Sequence, residues 1–338
     1  MSTITAFIGY VILILNLVAI ITVIFFKRME PSTRFAWLMV LIFVPVIGFF
    51  IYLLFVHTYI RKERLDLSEE ATHEVRDYVN SQVDMINAVS ELDEGELTYT
   101  RLMHMNLIMD RAVLTDDNTL KIYTNGGEKF KDMLEDMRNA KKYIHLLYFI
   151  FRADKIGSEI IDLLASKAQE GIEVRVIYDD VGNIKIRDKH FDKVREAGGV
   201  VYRYSPLLRS IVSANYRNHR KLVTIDGDVG YIGGMNIGDE YIKGRKKLTP
   251  WRDTHIRIAG SAVHFMELLF LEDYTYAAKK EDHVTDMRKY FDMNKAFNGH
   301  SLVQIVSSRP SEGGDHIRSA YMKMISMATK YIYIQTPY

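Results

Sequence analysis

Two long stretches without a charged residue lie near the start of the chain, at 4–26 and 35–56. Each is long enough to cross a hydrocarbon core of about 30 Å as an α-helix. A cleaved signal peptide would open with basic residues and have a shorter apolar stretch, whereas the first three residues are uncharged. The pattern therefore predicts a transmembrane hairpin over residues 1–60, with Pro45 bending its second helix or freeing a carbonyl.

Residues 61–119 differ from that start because they are mixed and charged. Within them, residues 66–79 (D-L-S-E-E-A-T-H-E-V-R-D-Y-V) predict a helix that leads away from the membrane, so we interpret 61–119 as a connector. From Leu120 onward, apolar stretches of strand length alternate with amphipathic helices. Residues 120–285 are therefore predicted to form an α/β lobe.

The first part of that lobe shows the order of elements. Residues 142–151 are an apolar stretch typical of a strand, 158–171 an amphipathic helix that ends at a glycine, and 172–178 a second strand. Strand, helix and strand in this order predict parallel strands covered by helices. Sites in such sheets lie beyond the carboxyl ends of strands, where Asp179 and Asp180 follow here.

Composition narrows the class of partner. Hydrophobic residues make up 48% of the 338, which is enough for a sizeable core. The formal net charge of +1 argues against nucleic acid as the main partner. The chain has no cysteine, which is compatible with either redox compartment.

The densest cluster of reactive side chains lies at 218–226, with the sequence N-H-R-K-L-V-T-I-D. Its H-x-K-x4-D spacing puts His219 and Lys221 two residues apart on a Val/Ile-rich stretch, so a strand would point both to the same side. Asp226 precedes a glycine in a predicted turn, so strand alternation alone does not direct it to the same place. The next segment, G-D-V-G-Y-I-G-G-M-N, contains Gly233, Gly234 and Asn236.

Together these two segments resemble the HKD motif of the phospholipase D superfamily, with its H-x-K-x4-D and G-G-x-N elements. More narrowly, the order of motifs along nearly the whole chain is similar to that of bacterial cardiolipin synthases. The other matching segments are P-S-T-R-F-A-W-L (31–38), Y-D-D-V-G (178–182), N-Y-R-N-H-R-K (215–221), N-I-G-D-E-Y (236–241) and P-W-R-D-T-H (250–255). The resemblance implies a phospholipase D-like lobe, a mixed sheet covered by helices, after a two-helix transmembrane hairpin.

The motif fits phosphodiester exchange without a metal. A neutral His219 can attack phosphorus, and Lys221 disfavours protonation of that imidazole while binding the phosphate as a point charge. The resemblance assigns Asp226 a hydrogen-bonding, structural role. The same ammonium would repel a divalent cation, and the sequence has no H-E-x-x-H motif and no cysteine pair, so we expect neither a metal nor another cofactor.

Other candidate residues have two interpretations each. Asn236 could donate its amide to the phosphate after Gly234 lets backbone approach, or the paired glycines could only relieve crowding at a strand end. Glu240 could contact a lipid head group or could pack. Asp253 and His255 could orient the imidazole, although a histidine at the start of a strand is more often structural. The last candidate, His145, lies in an apolar strand and is interpreted as a core histidine.

The resemblance implies a membrane-bound phosphatidyltransferase that joins two phosphatidylglycerol molecules into cardiolipin and releases glycerol, through a phosphatidyl-histidine on His219. Two alternatives remain at this point. A hydrolase of the same superfamily would use water as acceptor, and a scaffold would bind anionic lipid without turnover. The acceptor alcohol and the oligomeric state do not follow from the residues.

Membrane orientation is weakly determined by charge. The hairpin loop carries Lys27, Arg28 and Arg34, while the far flank carries four basic residues, so the positive-inside rule does not decide. The far-flank residues are Arg61, Lys62, Arg64 and Arg76. The resemblance favours a multi-pass protein of the cell membrane with its catalytic region in the cytoplasm.

An internal repeat predicts a second lobe. Residues 140–150 resemble 328–338, and each follows a helical stretch that is itself preceded by a short apolar run. An active site of this superfamily needs two HKD motifs, yet only one occurs, so either two chains pair or the sequence is a fragment. The repeat offset of 188 residues would put a counterpart of His219 near position 407. We therefore expect 286–338 to begin a second lobe that is cut short and residues 1–338 alone to be inactive. The resemblance, with the usual size of domains, implies a full protein of roughly 480–500 residues.

Overall fold

A computed structural model describes most of the sheet-forming part of the chain and the apolar N-terminal part. The described residues are 3–26, 31–56, 80, 82, 97–184, 186, 188–204, 217–245, 251–278, 282, 284, 288–291, 295–308 and 315–336. The helix predicted within 66–79 lies outside them, as do the basic residues used for orientation other than Arg34. The chain divides into two compact units, the apolar N-terminal unit and the unit that contains the sheet.

The apolar unit begins with helix α1 (Thr3–Ile21), which continues as a π-helical turn (Thr22–Phe26). The helical segment Phe7–Phe25 is long and apolar enough to cross a membrane. It is the only such segment among the described residues. Their large apolar side chains are mostly exposed, as expected for a helix whose solvent is lipid. The first predicted transmembrane helix therefore has its counterpart in α1.

The second predicted transmembrane helix is not continuous. Residues 35–56 are divided between α2 (Pro31–Phe43) and α3 (Pro45–Val56). These two helices pack against each other, so that the rings of Trp37 and Tyr52 lie 5.6 Å apart. Each is shorter than the roughly 20 residues that a spanning helix needs. The structure therefore divides the helix predicted over 35–56 in two, and the transmembrane hairpin stays a prediction.

Pro45 is the physical reason for that break. Proline has no N–H to donate to the carbonyl of Leu41, four residues earlier, and its ring disfavours helical backbone before it. The side chain of Asn16 on α1 donates to the Leu41 carbonyl instead, over 2.9 Å, in a buried position. Asn16 thus satisfies the carbonyl that Pro45 leaves without its helical partner, which an apolar environment requires.

The second unit is built on one mixed, eight-stranded sheet with the order β4-β3-β2-β5-β6-β7-β1-β8. Strands β2, β3 and β4 are parallel, and the other neighbours are antiparallel. The predicted mixed sheet is confirmed. Its strands are β1 (Leu114–Tyr123), β2 (Tyr143–Tyr148), β3 (Glu173–Asp179), β4 (Val200–Tyr204), β5 (Lys221–Ile225), β6 (Val229–Gly233), β7 (His255–Ala259) and β8 (Ser301–Gln304).

Helices cover both faces of this sheet. The apolar side chains of α5 and α6 pack on one face and those of α9 on the other, and each face carries a buried cluster. Asn125 and Asp154 cap the amino ends of α5 and α6 by accepting a backbone N–H. The helices of this unit are α4 (Leu97–Asp110), α5 (Gly126–Arg138), α6 (Lys155–Gln169), α7 (Asp192–Glu196), α8 (Glu240–Lys243), α9 (Ala262–Ala278) and α10 (His316–Met327), with 3-10 turns at Asp188–Phe191 and Arg288–Tyr290.

Two strand boundaries differ from the predictions, and one strand-like stretch forms no strand. β1 begins at Leu114, inside the stretch predicted as a connector, and β2 ends at Tyr148 rather than at 151. The apolar residues 331–336, which resemble β2, are exposed and form no strand with the residues that the structure describes. A strand-like composition does not by itself make residues 331–336 a strand, because the backbone N–H and C=O groups of a strand also need a pairing partner.

Candidate active site

One edge of the sheet gathers the predicted site residues, and we call it the site edge. It is the edge at which β2, β3 and β6 end and β5 and β7 begin. The register pairs Tyr148 with Lys221 across β2 and β5, and Gly233 with His255 across β6 and β7. Side chains that are distant in sequence therefore lie next to one another along this edge.

His219 lies two residues before β5 and not on it, because β5 begins only at Lys221. The expectation that His219 lies on the strand is therefore wrong, although His219 and Lys221 both lie against the ring of Phe149. The His219 side chain is exposed on one side, and its ring meets the ring of Phe149 edge-on with 4.7 Å between centroids. Partial burial and the ammonium of Lys221 lower the pKa of His219 below its ordinary value. The imidazole is therefore neutral near pH 7, with a lone pair available for attack.

Lys221 is the buried cation of the site. Its side chain is only 3% exposed, its Nζ donates to the backbone carbonyl of His219, and the ammonium lies 5.3 Å from the ring centre of Phe149. Burial lowers the pKa of Lys221 to about 8, although the carboxylates of Asp253 and Asp179 oppose that effect. Lys221 thus keeps most of its charge at neutral pH, where a phosphate oxygen can use it.

Asp226 lies at the opposite end of β5, about 16 Å from Lys221 by the rise of a strand. Its backbone has φ of 57°, in the left-handed region. Its carboxylate accepts the backbone N–H groups of Lys141, Lys142 and Tyr143 over 2.8, 2.7 and 2.9 Å. The structure therefore brings His219 and Lys221 together and places the third motif residue on the turn that precedes β2.

Asn236 and Gly234 make structural contacts in the loop after β6. The Asn236 amide is buried, accepts the N–H of Ile150 over 3.0 Å and donates to the Tyr241 hydroxyl over 2.8 Å. Gly234 donates its own N–H to the Thr254 carbonyl over 2.8 Å. A Cβ on Gly234 would lie 2.0 Å from Asp253 Oδ1, so this geometry favours relief of crowding.

Glu240, the remaining predicted contact, lies on α8 and pairs with Arg245, two residues after that helix ends. Its carboxylate accepts from the Arg245 Nε over 2.5 Å, and the arginine lies 5.6 Å from the ring centre of Trp251. The neighbouring Tyr241 ring packs on the same tryptophan at 5.2 Å. Glu240 is therefore part of an aromatic and charged cluster formed by α8 and the residues after it, where packing accounts for its contacts.

Lys129 and His255 form a buried polar layer next to Lys221. The sequence pattern did not single out Lys129, and it favoured a structural role for His255. Lys129 on α5 is fully buried and donates to the Tyr148 hydroxyl over 2.9 Å. Burial lowers the pKa of Lys129 well below its ordinary value. His255 is also fully buried, and burial together with Lys129 and Lys221 lowers its pKa strongly. Lys129 occupies the apolar face of its helix, one turn before Met133, and that helical spacing could have revealed it.

Over the described residues, no group of three or more His, Cys, Asp or Glu side chains converges in a way that could hold an ion. The chemistry available here is that of a neutral imidazole beside a buried ammonium.

Comparisons with known proteins agree with this arrangement. A family model described as "Cardiolipin synthase, PLD-like domain" matches residues 133–247, and one described as "Phospholipase_D-nuclease N-terminal" matches residues 14–56. The cardiolipin synthase of Listeria monocytogenes serotype 4a (strain HCC23) is 38% identical over 337 residues, covering 98% of this chain and 70% of that protein. The major cardiolipin synthase ClsA of Bacillus subtilis (strain 168) is 41% identical over 335 residues, covering 96% of this chain and 68% of that protein.

Solved structures are more distant. Nuc from Salmonella typhimurium, a phospholipase D family member, has 14% identity and a TM-score of 0.37 over 47% of this chain and 95% of its own. Phosphatidylserine synthase from Haemophilus influenzae Rd KW20 has 16% identity and a TM-score of 0.40 over 68% of this chain and 48% of its own.

The mixed sheet and the matched domain define a protein of the phospholipase D class. Within that class, the chain belongs to the cardiolipin synthase family, at about 40% identity over nearly its whole length. The resemblance stated from the motifs is thereby confirmed. The family makes the protein an enzyme of phosphatidyltransferase type that acts on phospholipids in association with a membrane.

Proposed function

We propose that the protein condenses two phosphatidylglycerol molecules into cardiolipin and glycerol, through a phosphatidyl-histidine intermediate on His219. The observation that carries this proposal is the pair at the site edge. There an exposed imidazole with a lowered pKa lies beside a buried ammonium that is still charged at neutral pH.

The proposed reaction has two steps. A ring nitrogen of His219 attacks the phosphorus of the first phosphatidylglycerol, the P–N bond forms, and the P–O bond to the head-group glycerol breaks. The glycerol oxygen takes up a proton as it leaves. A hydroxyl of the second phosphatidylglycerol then attacks the phosphorus, loses its proton, and releases the imidazole. Throughout, Lys221 offsets the charge that develops on the non-bridging oxygens.

The remaining residues have supporting roles in this proposal. Asp226 fixes the turn before β2, while Asn236, Gly234 and Glu240 shape the wall of the site rather than bind phosphate directly. We also propose that 286–338 begins a second lobe, because β8, α10 and residues 331–336 repeat the order of β1, α5 and β2. The pattern of the superfamily implies that a second HKD motif protonates the leaving glycerol.

The proposed location is the cell membrane. The α1 helix supplies one apolar stretch of spanning length, and phosphatidylglycerol is itself a membrane lipid. We propose a multi-pass protein whose catalytic region faces the cytoplasm, with no nucleic acid as partner.

Product analysis tests the function. Protein that contains this sequence is reconstituted into vesicles with phosphatidylglycerol labelled in the glycerol backbone of its phosphatidyl group. We expect labelled cardiolipin and an equal amount of free glycerol, and no turnover by His219→Gln. Phosphatidic acid as the only product would instead show hydrolysis. No turnover by any form that contains a second HKD motif would favour a lipid-binding scaffold.

A further inference from the structure

The position of His219 depends on its neighbours in the chain. The residue precedes β5, so no strand pairing fixes its backbone, and its ring contact is with Phe149. An in-line attack on phosphorus requires the imidazole to be placed within fractions of an ångström. Some other part of the structure must therefore hold the segment around His219.

Asp179 is bound to the residue just before His219. It ends β3, is 1% exposed, and uses both carboxylate oxygens. Oδ1 accepts the N–H groups of Val181 and Gly182 over 2.9 and 3.1 Å, which closes the turn after β3. Oδ2 accepts the N–H of Asn218 over 3.3 Å. One buried carboxylate thus ties the turn after β3 to the residue next to His219.

The same turn also fixes Phe149, the aromatic partner of His219. The side chain of Asn183 donates to the Phe149 carbonyl over 2.8 Å and accepts the N–H of Phe151 over 2.7 Å. A Cβ on Gly182 would lie 2.0 Å from the Phe149 carbonyl oxygen, so only glycine allows this close approach. The turn therefore determines both the backbone and the ring against which the imidazole packs.

A second carboxylate holds the residue on the other side of His219. Arg220 extends to the face of the sheet covered by α9, where its Nη1 lies 2.5 Å from the Asp273 carboxylate. Asp273 is 2% exposed, so this charged hydrogen bond is shielded from water. Asn218 and Arg220 are thus each held by a buried carboxylate, with His219 between them.

We propose that Asp179 and Asp273 are positioning residues that hold the backbone on both sides of His219 so that its imidazole is aligned for attack. This inference rests on the proposed function for its catalytic consequence. The anchoring itself is a property of the folded chain and can be measured without turnover.

Asp179→Asn separates the two tasks of that carboxylate. An amide has one accepting and one donating end, whereas Asp179 accepts at both oxygens. The amide oxygen can keep the two N–H groups of the turn, but the amide nitrogen then faces the N–H of Asn218 and cannot accept it. We expect the turn to stay closed while the segment before β5 becomes looser.

Hydrogen exchange read by mass spectrometry tests this directly. In Asp179→Asn, the amides of 217–220 should exchange about tenfold faster, the change expected for loss of one hydrogen bond of about 1.4 kcal/mol. The amides of 181–183 should not change. Asp273→Asn should likewise accelerate exchange at 219–221. The matched control is Asp180→Asn, which loses the same charge one residue away, where the carboxylate faces Arg203 at 3.3 Å.

Kinetics of protein that turns over give the second readout. Both positioning variants should lower kcat about 10- to 100-fold and leave KM within about twofold, because substrate still binds but the imidazole is misplaced. Unchanged exchange at 217–220 in folded Asp179→Asn, or a kcat equal to that of Asp180→Asn, would overturn the proposal. If the wild-type protein makes no cardiolipin, the proposed function fails, while the exchange experiment still decides whether His219 is anchored.

Discussion

The two ends of β5 carry the same motif but are built in opposite ways. At the site edge, Lys221 is buried with a lowered pKa, and His219 is exposed beside it. At the far end, Asp226 is satisfied by three backbone N–H groups. The site edge keeps an imidazole and an ammonium available for reaction, although burial of the ammonium costs solvation free energy. The far end uses the Asp226 carboxylate to bind the backbone of the turn before β2.

The far half of the strand continues this pattern of satisfied charge. Thr224 of β5 lies opposite His145 of β2, a fully buried histidine. Its Nδ1 lies 2.7 Å from Glu267 and its Nε2 lies 3.2 Å from Glu173. The interpretation of His145 as a satisfied core histidine is confirmed. The difference between the two ends of β5 shows that residues at a fixed spacing in one motif need not share one site. The five residues of β5 separate the reactive pair, His219 and Lys221, from Asp226, which stabilises the fold.

Removal of the buried Lys221 charge at the site edge should cause the largest loss of activity. Lys221→Met should lower kcat about 10³-fold, since a preorganised cation near the developing charge is lost. The wild-type rate should rise with pH as His219 loses its proton, and fall again as Lys221 loses its proton near pH 8. The fall near pH 8 should be absent in the variant. A pH series of initial rates checks this, with exposed Lys142→Met as the charge-matched control.

Substitution of His145, which lies opposite the far half of β5, should change the free energy of unfolding rather than kcat. Burial alone would lower the pKa of His145, but the carboxylates of Glu267 and Glu173 outweigh it and raise that pKa. A raised pKa means that the ion pairs contribute fully below about pH 6.5, the unfolded value, and less as pH rises through the folded value. His145→Gln should cost about 3 kcal/mol at pH 6 and less at higher pH.

Chemical unfolding between pH 5 and 9 measures that dependence. The wild-type free energy of unfolding should fall as the pH rises above about 6.5, and the His145→Gln variant should lack this component. Exposed His300→Gln serves as the control for loss of a histidine. Equal pH dependence in all three proteins would show that His145 is not protonated in the fold.

Asp226 should give the smallest effect, and again on stability rather than chemistry. Asp226→Ala removes three N–H acceptors and puts alanine in left-handed backbone, which together should cost about 2 kcal/mol. Asp226→Asn, which tolerates that backbone and keeps one accepting oxygen, should cost about half as much. Thermal unfolding measures both. A large loss of kcat in folded Asp226→Asn, well below its melting temperature, would place Asp226 in the chemistry after all.

Much of this comparison could be predicted from local pattern. Periodicity indicated the parallel β2–β3 pair and the helix between them, and the motif spacing selected His219 and Lys221. Spacing could not reveal that β5 starts only at Lys221, because strand ends depend on pairing with β2 and β6. Pro45 predicted a bend after α2, but the sequence could not reveal that Asn16 of α1 satisfies the carbonyl that Pro45 frees at Leu41, because that is a tertiary contact. Lys129 was missed because a lysine on a helix is normally solvated, although its position on the apolar face, one turn before Met133, was a signal of the burial that the packing shows.

The most direct test of the account is to trap the intermediate on His219. Phosphatidylglycerol labelled with ³²P is mixed with the enzyme, the reaction is quenched in alkaline denaturant, which preserves a P–N bond, and peptides are analysed by mass spectrometry. The account predicts a phosphatidyl group on His219 in the wild-type protein, formed and consumed at the rate of turnover, and none in His219→Gln. Cardiolipin formation with no adduct on His219, or with sequential rather than ping-pong kinetics, would contradict it.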